Sequence, residues 1–318
     1  MGLFRFLTEH NIPFEENVSL SKKTWIKTGG NCAFWIMPVS LTQLSELCLY
    51  LYFNNISFDI VGQTSNIFFH STYNPHIVIS TIRVNSYVIK NNTLICDCGV
   101  NVVKLAKECL ISGFAGFYGL VGLPGTVASA VVNNASCFNC SLSSMLISAD
   151  VLMPDGKIKT FFKDDFCFAS RTSIFKRKEI QGVILSVKFL LHNCDNVDEE
   201  IKKAEATIKY RQLKQERPYK NLGSVFAHRE YKLTLRNIIA MQGARLMVKL
   251  RLLKNFPKIH KNMLLSMYGY NDLKKYVSDK NLNTFIWRDE FSEDKFERYK
   301  KFMLIVFKNL EIEIEEKI

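Results

Sequence analysis

The sequence lacks the features that mark a secreted, membrane-spanning or metal-dependent chain. No apolar run within its 318 residues is long enough to span a bilayer, and acidic and polar residues appear too early for a secretory signal. Its nine cysteines are an odd number without a zinc-type pair of pairs, and its six histidines are not clustered. We therefore expect reduced thiols, a cytoplasmic location and no metal site.

Acidic residues are missing altogether between Glu230 and Asp272, although the whole chain carries 30 of them against 42 lysines and arginines. This interval therefore contributes strongly to the net charge of +12. A basic patch of this kind attracts phosphate groups, whether on a nucleotide, a nucleic acid or a membrane surface. Few aromatic residues are interleaved with the charges, which argues against nucleic-acid binding. A peripheral membrane contact through residues 232–261 stays open.

The GxGxxG spacing of a Rossmann fingerprint is also absent. Glycines are concentrated instead in residues 119–138, GLVGLPGTVASAVVNNASCF. This composition predicts neither a good helix nor a regular strand, because glycine costs backbone entropy and proline removes a donor. We expect a loop whose free N–H groups form a nest for an anion such as a diphosphate. A tight structural loop is the equally weighted alternative.

The order of periodic segments predicts an α+β protein with two main domains. An N-terminal arm, residues 1–20, precedes a domain over 21–195 that alternates strands with helices at 40–54 and 102–112. An Asp-Gly turn between two alternating runs predicts a β-hairpin over 147–162.

A charged helix over 197–215, ended by Arg217-Pro218, leads into a second domain, 196–318, with a basic insert at 231–271. In this domain we expect a strand over 283–287 and a helix over 292–309 capped by Ser292. The alternation in LEIEI, residues 310–314, predicts a final strand with its isoleucines on one face.

Several separated motifs together resemble the UDP-N-acetylmuramate dehydrogenase family, also called UDP-N-acetylenolpyruvoylglucosamine reductase. The likeness covers residues 20–226 and again 283–318. It rests on five segments that occur in the family's order: TWIKTGG (24–30), GQTSN (62–66), GLPGTV (122–127) with Asn134-Ala135, RTSIFK (171–176) and GSVF (223–226).

The resemblance implies an FAD-binding domain of the vanillyl-alcohol-oxidase (PCMH) type, followed by a C-terminal α+β substrate domain. It further implies that NADPH reduces the FAD and that hydride then passes to the enolpyruvyl group of a nucleotide-sugar in peptidoglycan synthesis. Two alternatives remain. One is a divergent flavoprotein that acts on another nucleotide-sugar in surface-polysaccharide synthesis, and the other is a catalytically degenerate FAD-binding interaction protein.

The resemblance assigns three catalytic residues. Ser224 matches the family's proton donor, Arg171 the arginine that holds the substrate carboxylate, and Glu313 the glutamate of the C-terminal ending, with Glu315 as an alternative two residues on. Without the resemblance, Ser224 would be interpreted as a turn residue and Arg171 as a surface ion-pair partner. Glu313 and Glu315 would be interpreted as solvent-facing acids. The resemblance also implies flavin contacts from Gly62, Thr64, Ser65, Asn66, Gly122, Pro124, Gly125, Thr126 and Asn134.

The sequence departs from the family pattern at several positions. Ala128-Ser129 stand where the family usually has two glycines, Ser170 stands where it has tyrosine, and Ala227-His228-Arg229 replaces its Lys-Asn-Pro. The family's glycine-rich substrate-domain segment is replaced by the basic stretch 233–261. We interpret these departures as pointing to a paralogue whose substrate has shifted.

Overall fold

The structure is a computed structural model that describes residues 2–216 and 220–318. By their internal contacts these residues form two compact units. The first unit is Met1–Ser65 with Thr72–Tyr210, and the second is Asn66–Ser71 with Arg211–Ile318. The division falls inside a long helix, so the domain limits at 195 and 196 stay a prediction.

The helices and strands, in chain order, are as follows. The helices are α1 (Leu3–Glu9), α2 (Leu41–Phe53), α3 (Val102–Ile111), α4 (Val127–Val132), α5 (Leu142–Met145), α6 (Val197–Lys214), α7 (Leu235–Lys249), α8 (Phe256–Met267) and α9 (Ser292–Val306). The strands are β1 (Phe14–Ser19), β2 (Asn31–Ile36), β3 (Asp59–Val61), β4 (Ile67–Phe69), β5 (Ile77–Ser80), β6 (Tyr87–Lys90), β7 (Thr93–Asp97), β8 (Ser136–Cys137), β9 (Cys140–Ser141), β10 (Leu146–Leu152), β11 (Ile158–Phe162), β12 (Val183–Leu190), β13 (Phe226–Tyr231), β14 (Phe307–Ile312) and β15 (Glu315–Lys317).

Two sheets build the first unit. A four-stranded sheet has the order β1-β2-β5-β3, in which β2, β5 and β3 run parallel. A five-stranded antiparallel sheet has the order β11-β10-β12-β7-β6. Helices α1 and α2 pack on the first sheet through buried leucines such as Leu7 and Leu47, while α3 and α4 contribute Leu105 and Val131 to the core of the second.

The second unit surrounds a cluster of aromatic side chains. Phe285, Phe296 and Tyr299 are completely buried, and the Phe285 ring lies 5.1 Å from Phe296 and 5.4 Å from Tyr299. Strands β13 and β14 pair antiparallel, and β15 pairs parallel with β4. The pairing of β15 with β4 explains why residues 66–71 belong to this unit although they are distant from it in sequence.

Most predicted elements of the first unit are confirmed. Helix α2 is capped by Ser40, whose side chain accepts from the Gln43 N–H, and α3 occupies the predicted 102–112 segment. Strands β10 and β11 form the predicted hairpin around Asp155-Gly156. Helix α6 matches the predicted charged helix; Arg217 and Pro218, predicted to end it, lie outside the described residues.

Three predictions about regular structure are wrong. Residues 283–287 form no strand; Phe285 and Trp287 take part in isolated bridges, because the segment passes through the aromatic core. Ser292 is the first residue of α9 rather than its cap, and its hydroxyl accepts from the N–H groups of Arg288 and Asp289. Six residues of the glycine-rich stretch form α4, which begins after Thr126.

The alternation predicted for the C-terminal strand is also wrong. Strand β14 ends at Ile312, which is 44% exposed, whereas Ile314 is buried. The chain leaves the sheet at Glu313 and pairs again as β15. The two isoleucines therefore do not share one face.

The nine cysteines are all free thiols. Burial raises the pKa of Cys32 to about 11 and that of Cys98 to about 12, so these two thiols stay protonated near neutral pH. In the part of the chain that the structure describes, no helix is both long and apolar enough to cross a membrane.

Candidate active site

Two loops that the sequence singled out meet in the first unit. The Ser65 hydroxyl donates to the Pro124 carbonyl over 3.2 Å, and the Gly125 N–H donates to Gln63 Oε1 over 2.9 Å. The structure thereby brings 62–65 and 124–126 together, as the resemblance implies. The sequence reasoning did not single out Gln63, although its side chain ties the two loops together.

Gly62 lies so close to Thr126 that no side chain fits between them. A Cβ on Gly62 would stand 2.5 Å from Thr126 Oγ1 and 3.0 Å from its Cγ2. Thr126 is itself buried at 1% exposure, so it has little room to move away. Glycine is therefore required here by close approach.

The backbone of residues 62–65 has the properties of an anion-binding nest. Within residues 2–216 and 220–318, the four N–H groups of this loop donate no hydrogen bond. Thr64 has a left-handed φ of 55°, and its hydroxyl accepts from the Trp25 N–H over 2.8 Å, which fixes the turn. Successive N–H groups in a turn with a left-handed residue form a concave site for phosphate oxygens.

The prediction that the glycine-rich stretch forms an anion-binding nest of free N–H groups is wrong for residues 125–128. The N–H groups of Thr126, Val127 and Ala128 donate to Ser129 Oγ, Val100 O and Cys98 O, and that of Gly125 to Gln63. These donors are satisfied within the protein and hold the start of α4 in place. The free donors lie in the neighbouring loop at 62–65.

Arg171 stands at the tip of a tight turn in the first unit. Ala169 and Thr172 exchange two backbone hydrogen bonds, which leaves Ser170 and Arg171 at the turn, and Arg171 has a φ of 58°. Its Nη1 donates to Ser136 O over 2.8 Å. A left-handed φ is unfavourable for arginine, so other contacts must hold this turn.

Asn134 ties this turn to the glycine-rich stretch. It too is left-handed, with a φ of 43°; its Nδ2 donates to Ala169 O over 2.7 Å, and its Oδ1 accepts from Ser143 Oγ. Ser173, in the RTSIFK motif, is fully buried and donates to Val132 O at the end of α4. Hydrogen bonds at Ala169 and Ser173, on either side of Arg171 in the chain, therefore hold the turn in place.

Ser224 lies in a turn of the second unit that begins at Asn221. Gly223 has a φ of 76°, and its N–H donates to Asn221 Oδ1 over 3.0 Å. The half-buried Ser224 hydroxyl has no hydrogen-bond partner in the part of the chain that the structure describes. It is therefore available to a ligand.

Asn283 holds the residues after Ser224, and the sequence reasoning missed it. It is 1% exposed; its Oδ1 accepts from the Phe226 N–H over 3.1 Å, its Nδ2 donates to Phe226 O over 2.8 Å, and its carbonyl accepts from the Val225 N–H. The side chain thus pairs with β13 as a neighbouring strand would. No sequence signal distinguishes a buried asparagine of this kind from a turn residue.

Glu313 lies beside the Ser224 turn. Its N–H donates to Val225 O over 2.8 Å, and its carbonyl accepts from Asn66 Nδ2 over 3.3 Å. The alternative, Glu315, is part of β15, is exposed, and forms an ion pair with Lys317 at 3.0 Å. The structure therefore brings Ser224, Glu313 and Asn66 together in the second unit, while Arg171 and the flavin loops belong to the first.

Comparisons with known proteins agree with this geometry. A family model described as an FAD binding domain matches residues 33–161. The chain is 30% identical over 219 residues to the UDP-N-acetylenolpyruvoylglucosamine reductases of Streptococcus pyogenes serotypes M12 and M1, over 68% of this chain and 72% of theirs. The chain belongs to the UDP-N-acetylenolpyruvoylglucosamine reductase family.

A solved structure of the family has the same fold. The UDP-N-acetylenolpyruvylglucosamine reductase of Thermus caldophilus superposes with a TM-score of 0.66 at 18% identity, over 96% of this chain and all of that one. The resemblance and the α+β fold with an FAD-binding domain, both predicted from the sequence, are confirmed.

The reductase family's cofactor, FAD, fits the residues present. The free N–H groups at 62–65 suit its diphosphate, and the absence of a side chain at Gly62 keeps that loop against Thr126. The predicted flavin residues from Gly62 to Asn134 all lie within the matched FAD-binding domain, residues 33–161. Their individual contacts with FAD stay a prediction.

One group of potential metal ligands lies in the second unit. Nitrogen and oxygen atoms of His70, Glu297 and Glu316 come within 4.8 Å of one another. Lys300 already contacts both carboxylates, at 2.8 Å and 2.9 Å, and the His70 ring bridges Glu316 and Glu293. We interpret this group as an ion-pair network that joins β4, α9 and β15.

Proposed function

We propose that the chain is a cytoplasmic, FAD-dependent reductase that uses NADPH to reduce the enolpyruvyl group of UDP-N-acetylglucosamine enolpyruvate. The observation that carries the proposal is the unpartnered Ser224 hydroxyl in a turn whose next residue, Val225, accepts from the Glu313 N–H, in a chain of this family. An FAD-binding interaction protein has no need of Ser224, Glu313 and Arg171 together.

The roles of the residues follow from the charge that the reaction develops. Bound FAD, once reduced, would supply a hydride to the enolpyruvyl double bond. The substrate then carries negative charge next to its carboxylate, and the planar fork of Arg171 suits that carboxylate because it donates two parallel hydrogen bonds and stays charged.

Ser224 is proposed to donate the proton that completes the reduction. A serine hydroxyl is a weak acid and can protonate only a strong base held within hydrogen-bond distance, which an enolate-like carbon is. Glu313 is proposed to lie against the same developing charge. Gly223 and Asn283 act as positioning residues, because they fix the turn on either side of Ser224.

The experiment that tests the function is product identification. Full-length protein is loaded with FAD and incubated with NADPH and UDP-N-acetylglucosamine enolpyruvate, and the nucleotide-sugar is analysed by mass spectrometry. The proposal expects a product with two additional hydrogen atoms and equimolar NADPH oxidation. If other nucleotide-sugars are reduced and this one is not, the divergent-substrate alternative holds instead.

We further propose that the basic insert contacts an anionic membrane surface. Helix α7 buries only Asn237, Ala240 and Ala244. The large apolar side chains exposed in this region are Leu233, Leu235, Ile238, Ile239, Leu246, Met247, Leu250, Leu252 and Leu253. Basic residues alternate with them, and no acidic residue occurs between Glu230 and Asp272. Exposed leucines beside lysine and arginine suit the headgroup region of an anionic bilayer.

Vesicle co-sedimentation tests this membrane contact. We expect the protein to bind phosphatidylglycerol vesicles, to bind phosphatidylcholine vesicles far less, and to lose about tenfold in affinity when Leu246 and Leu250 are both replaced by glutamate. Ile158→Glu, at a 60% exposed apolar position of β11, serves as the control. Equal binding to both lipids, or full binding by the double variant, would refute the contact.

A further inference from the structure

The second unit contains a strongly basic cavity that none of the proposed catalytic or flavin-binding residues lines. Its volume is about 570 Å³. Six cationic side chains line it: Lys258, Lys261, Lys274, Lys275, Lys280 and Arg288. Two carboxylates, Glu216 and Asp279, also line it, and a third, that of Asp289, pairs with Lys275 at 3.1 Å. Among the described residues, six cations therefore face three carboxylates.

The two carboxylates that line the cavity already form ion pairs or hydrogen bonds within the protein. Asp279 pairs with both Lys258, at 3.0 Å, and Lys261, at 2.5 Å. Glu216 Oε1 accepts from the Ser278 hydroxyl and from the Asp279 N–H. Lys261 is fully buried, and this burial lowers the pKa of its ammonium group, while its hydrogen bond to Asp279 opposes the shift. Neither acid neutralises the remaining cations of the cavity.

Of those remaining cations, Lys275 pairs with Asp289 at 3.1 Å, whereas Lys274 and Lys280 form no ion pair with a carboxylate of the described residues. The Lys274 ammonium forms no hydrogen bond or ion pair with any residue that the structure describes. Lys280 donates to two carbonyls at the C-terminal end of α6, those of Gln212 and Gln215. Cations that outnumber the nearby carboxylates in a concave site raise the local concentration of anions.

Helix α8 adds polar groups to one wall of the cavity. Lys258 and Asn262 are four residues apart, so they share one face of α8, and Asn255 is the N-cap that precedes it. The Asn262 amide oxygen is buried and has no hydrogen-bond partner among the described residues.

We propose that this cavity binds a small molecule that carries a diphosphate, as a nucleoside diphosphate does. Two sources share this chemistry: the diphosphate of the nucleotide-sugar substrate, and a separate phosphorylated metabolite that regulates the protein. The inference does not depend on the proposed reaction, because it rests on the cavity alone.

Isothermal titration of the FAD-loaded full-length protein with inorganic pyrophosphate tests the site. Lys274→Glu is the diagnostic variant, because this lysine contributes charge and makes no structural contact through its ammonium group. We expect it to weaken pyrophosphate binding by about tenfold or more. Lys249→Glu, at an exposed position of α7 that does not line the cavity, is the matched control and should bind as the parent protein does.

The same titration in the presence of saturating UDP-N-acetylglucosamine enolpyruvate distinguishes the two sources. Abolished pyrophosphate binding, with a raised KM in Lys274→Glu, assigns the cavity to the substrate's diphosphate. Persistent binding assigns it to a separate metabolite. No pyrophosphate binding by the parent protein, or binding that Lys274→Glu leaves undiminished, would overturn the proposal even if the reductase activity is present.

Discussion

Replacing Ser224 by alanine is expected to slow reduction of the enolpyruvyl substrate about a thousandfold, since a positioned general acid typically contributes factors of this size. The Ser224 hydroxyl has no partner among the described residues, so its loss leaves no buried group unsatisfied. Stability and FAD content should therefore be unchanged. Rapid mixing under anaerobic conditions separates the two half-reactions, and only the one that consumes the enolpyruvyl substrate should become slow.

Ser266→Ala provides the control for this variant. Ser266 belongs to the same unit, and its hydroxyl is exposed and donates only to Asn271 Oδ1. Its removal should leave both half-reactions within about twofold of the parent rates. Full turnover by Ser224→Ala would show that the proton comes from another group and would remove the central residue of the proposed mechanism.

Arg171→Lys is expected to lower kcat/KM about a hundredfold although it keeps the positive charge. Lysine cannot form the two parallel hydrogen bonds of a guanidinium, and a charge-assisted hydrogen bond contributes about 1.5–3 kcal/mol. The left-handed φ of 58° at this position is about equally unfavourable for arginine and for lysine, so the substitution does not change the backbone strain. Steady-state kinetics with varied enolpyruvyl substrate measure the effect.

Arg177→Lys is the matched control for Arg171. Arg177 lies six positions further on and forms an exposed ion pair with Glu179 at 2.6 Å. Exposed pairs contribute little, so this change should alter kcat/KM by less than about twofold. An equally large loss in both variants would mean that the segment 171–177 is merely sensitive to substitution, and Arg171 would lose its proposed role.

The parts of the fold that could be predicted are those whose local pattern matches their burial. Helix α2 and the β10–β11 hairpin carry a clear period and a recognisable cap or turn, and each formed as expected. The strand predicted over 283–287 does not form, because the apolar residues of this segment pack in an aromatic core rather than on the face of a sheet. Helix α7 was not predicted. Its apolar residues do not lie on one buried face, because several of them are exposed, so the sequence shows no clear helical period there.

The candidate site shows a similar division. Ser224, Glu313 and the loops at 62–66 and 122–126 were found because they carry sequence motifs. Gln63 and Asn283 hold those motifs in place through side-chain hydrogen bonds, but neither received a role from the sequence: Gln63 lies within the 62–66 motif without being singled out, and Asn283 lies in no motif. Their partners are 62 and 57 residues distant in the chain, and only the folded structure brings them together.

The most direct test of the central claim is an anaerobic absorbance titration of the FAD-loaded protein. NADPH is added first, and UDP-N-acetylglucosamine enolpyruvate is added after the flavin absorbance has bleached. The proposed function predicts that the enolpyruvyl substrate restores the oxidised flavin spectrum in stoichiometric amount. A flavin that bleaches with NADPH and stays bleached after the substrate is added would contradict it.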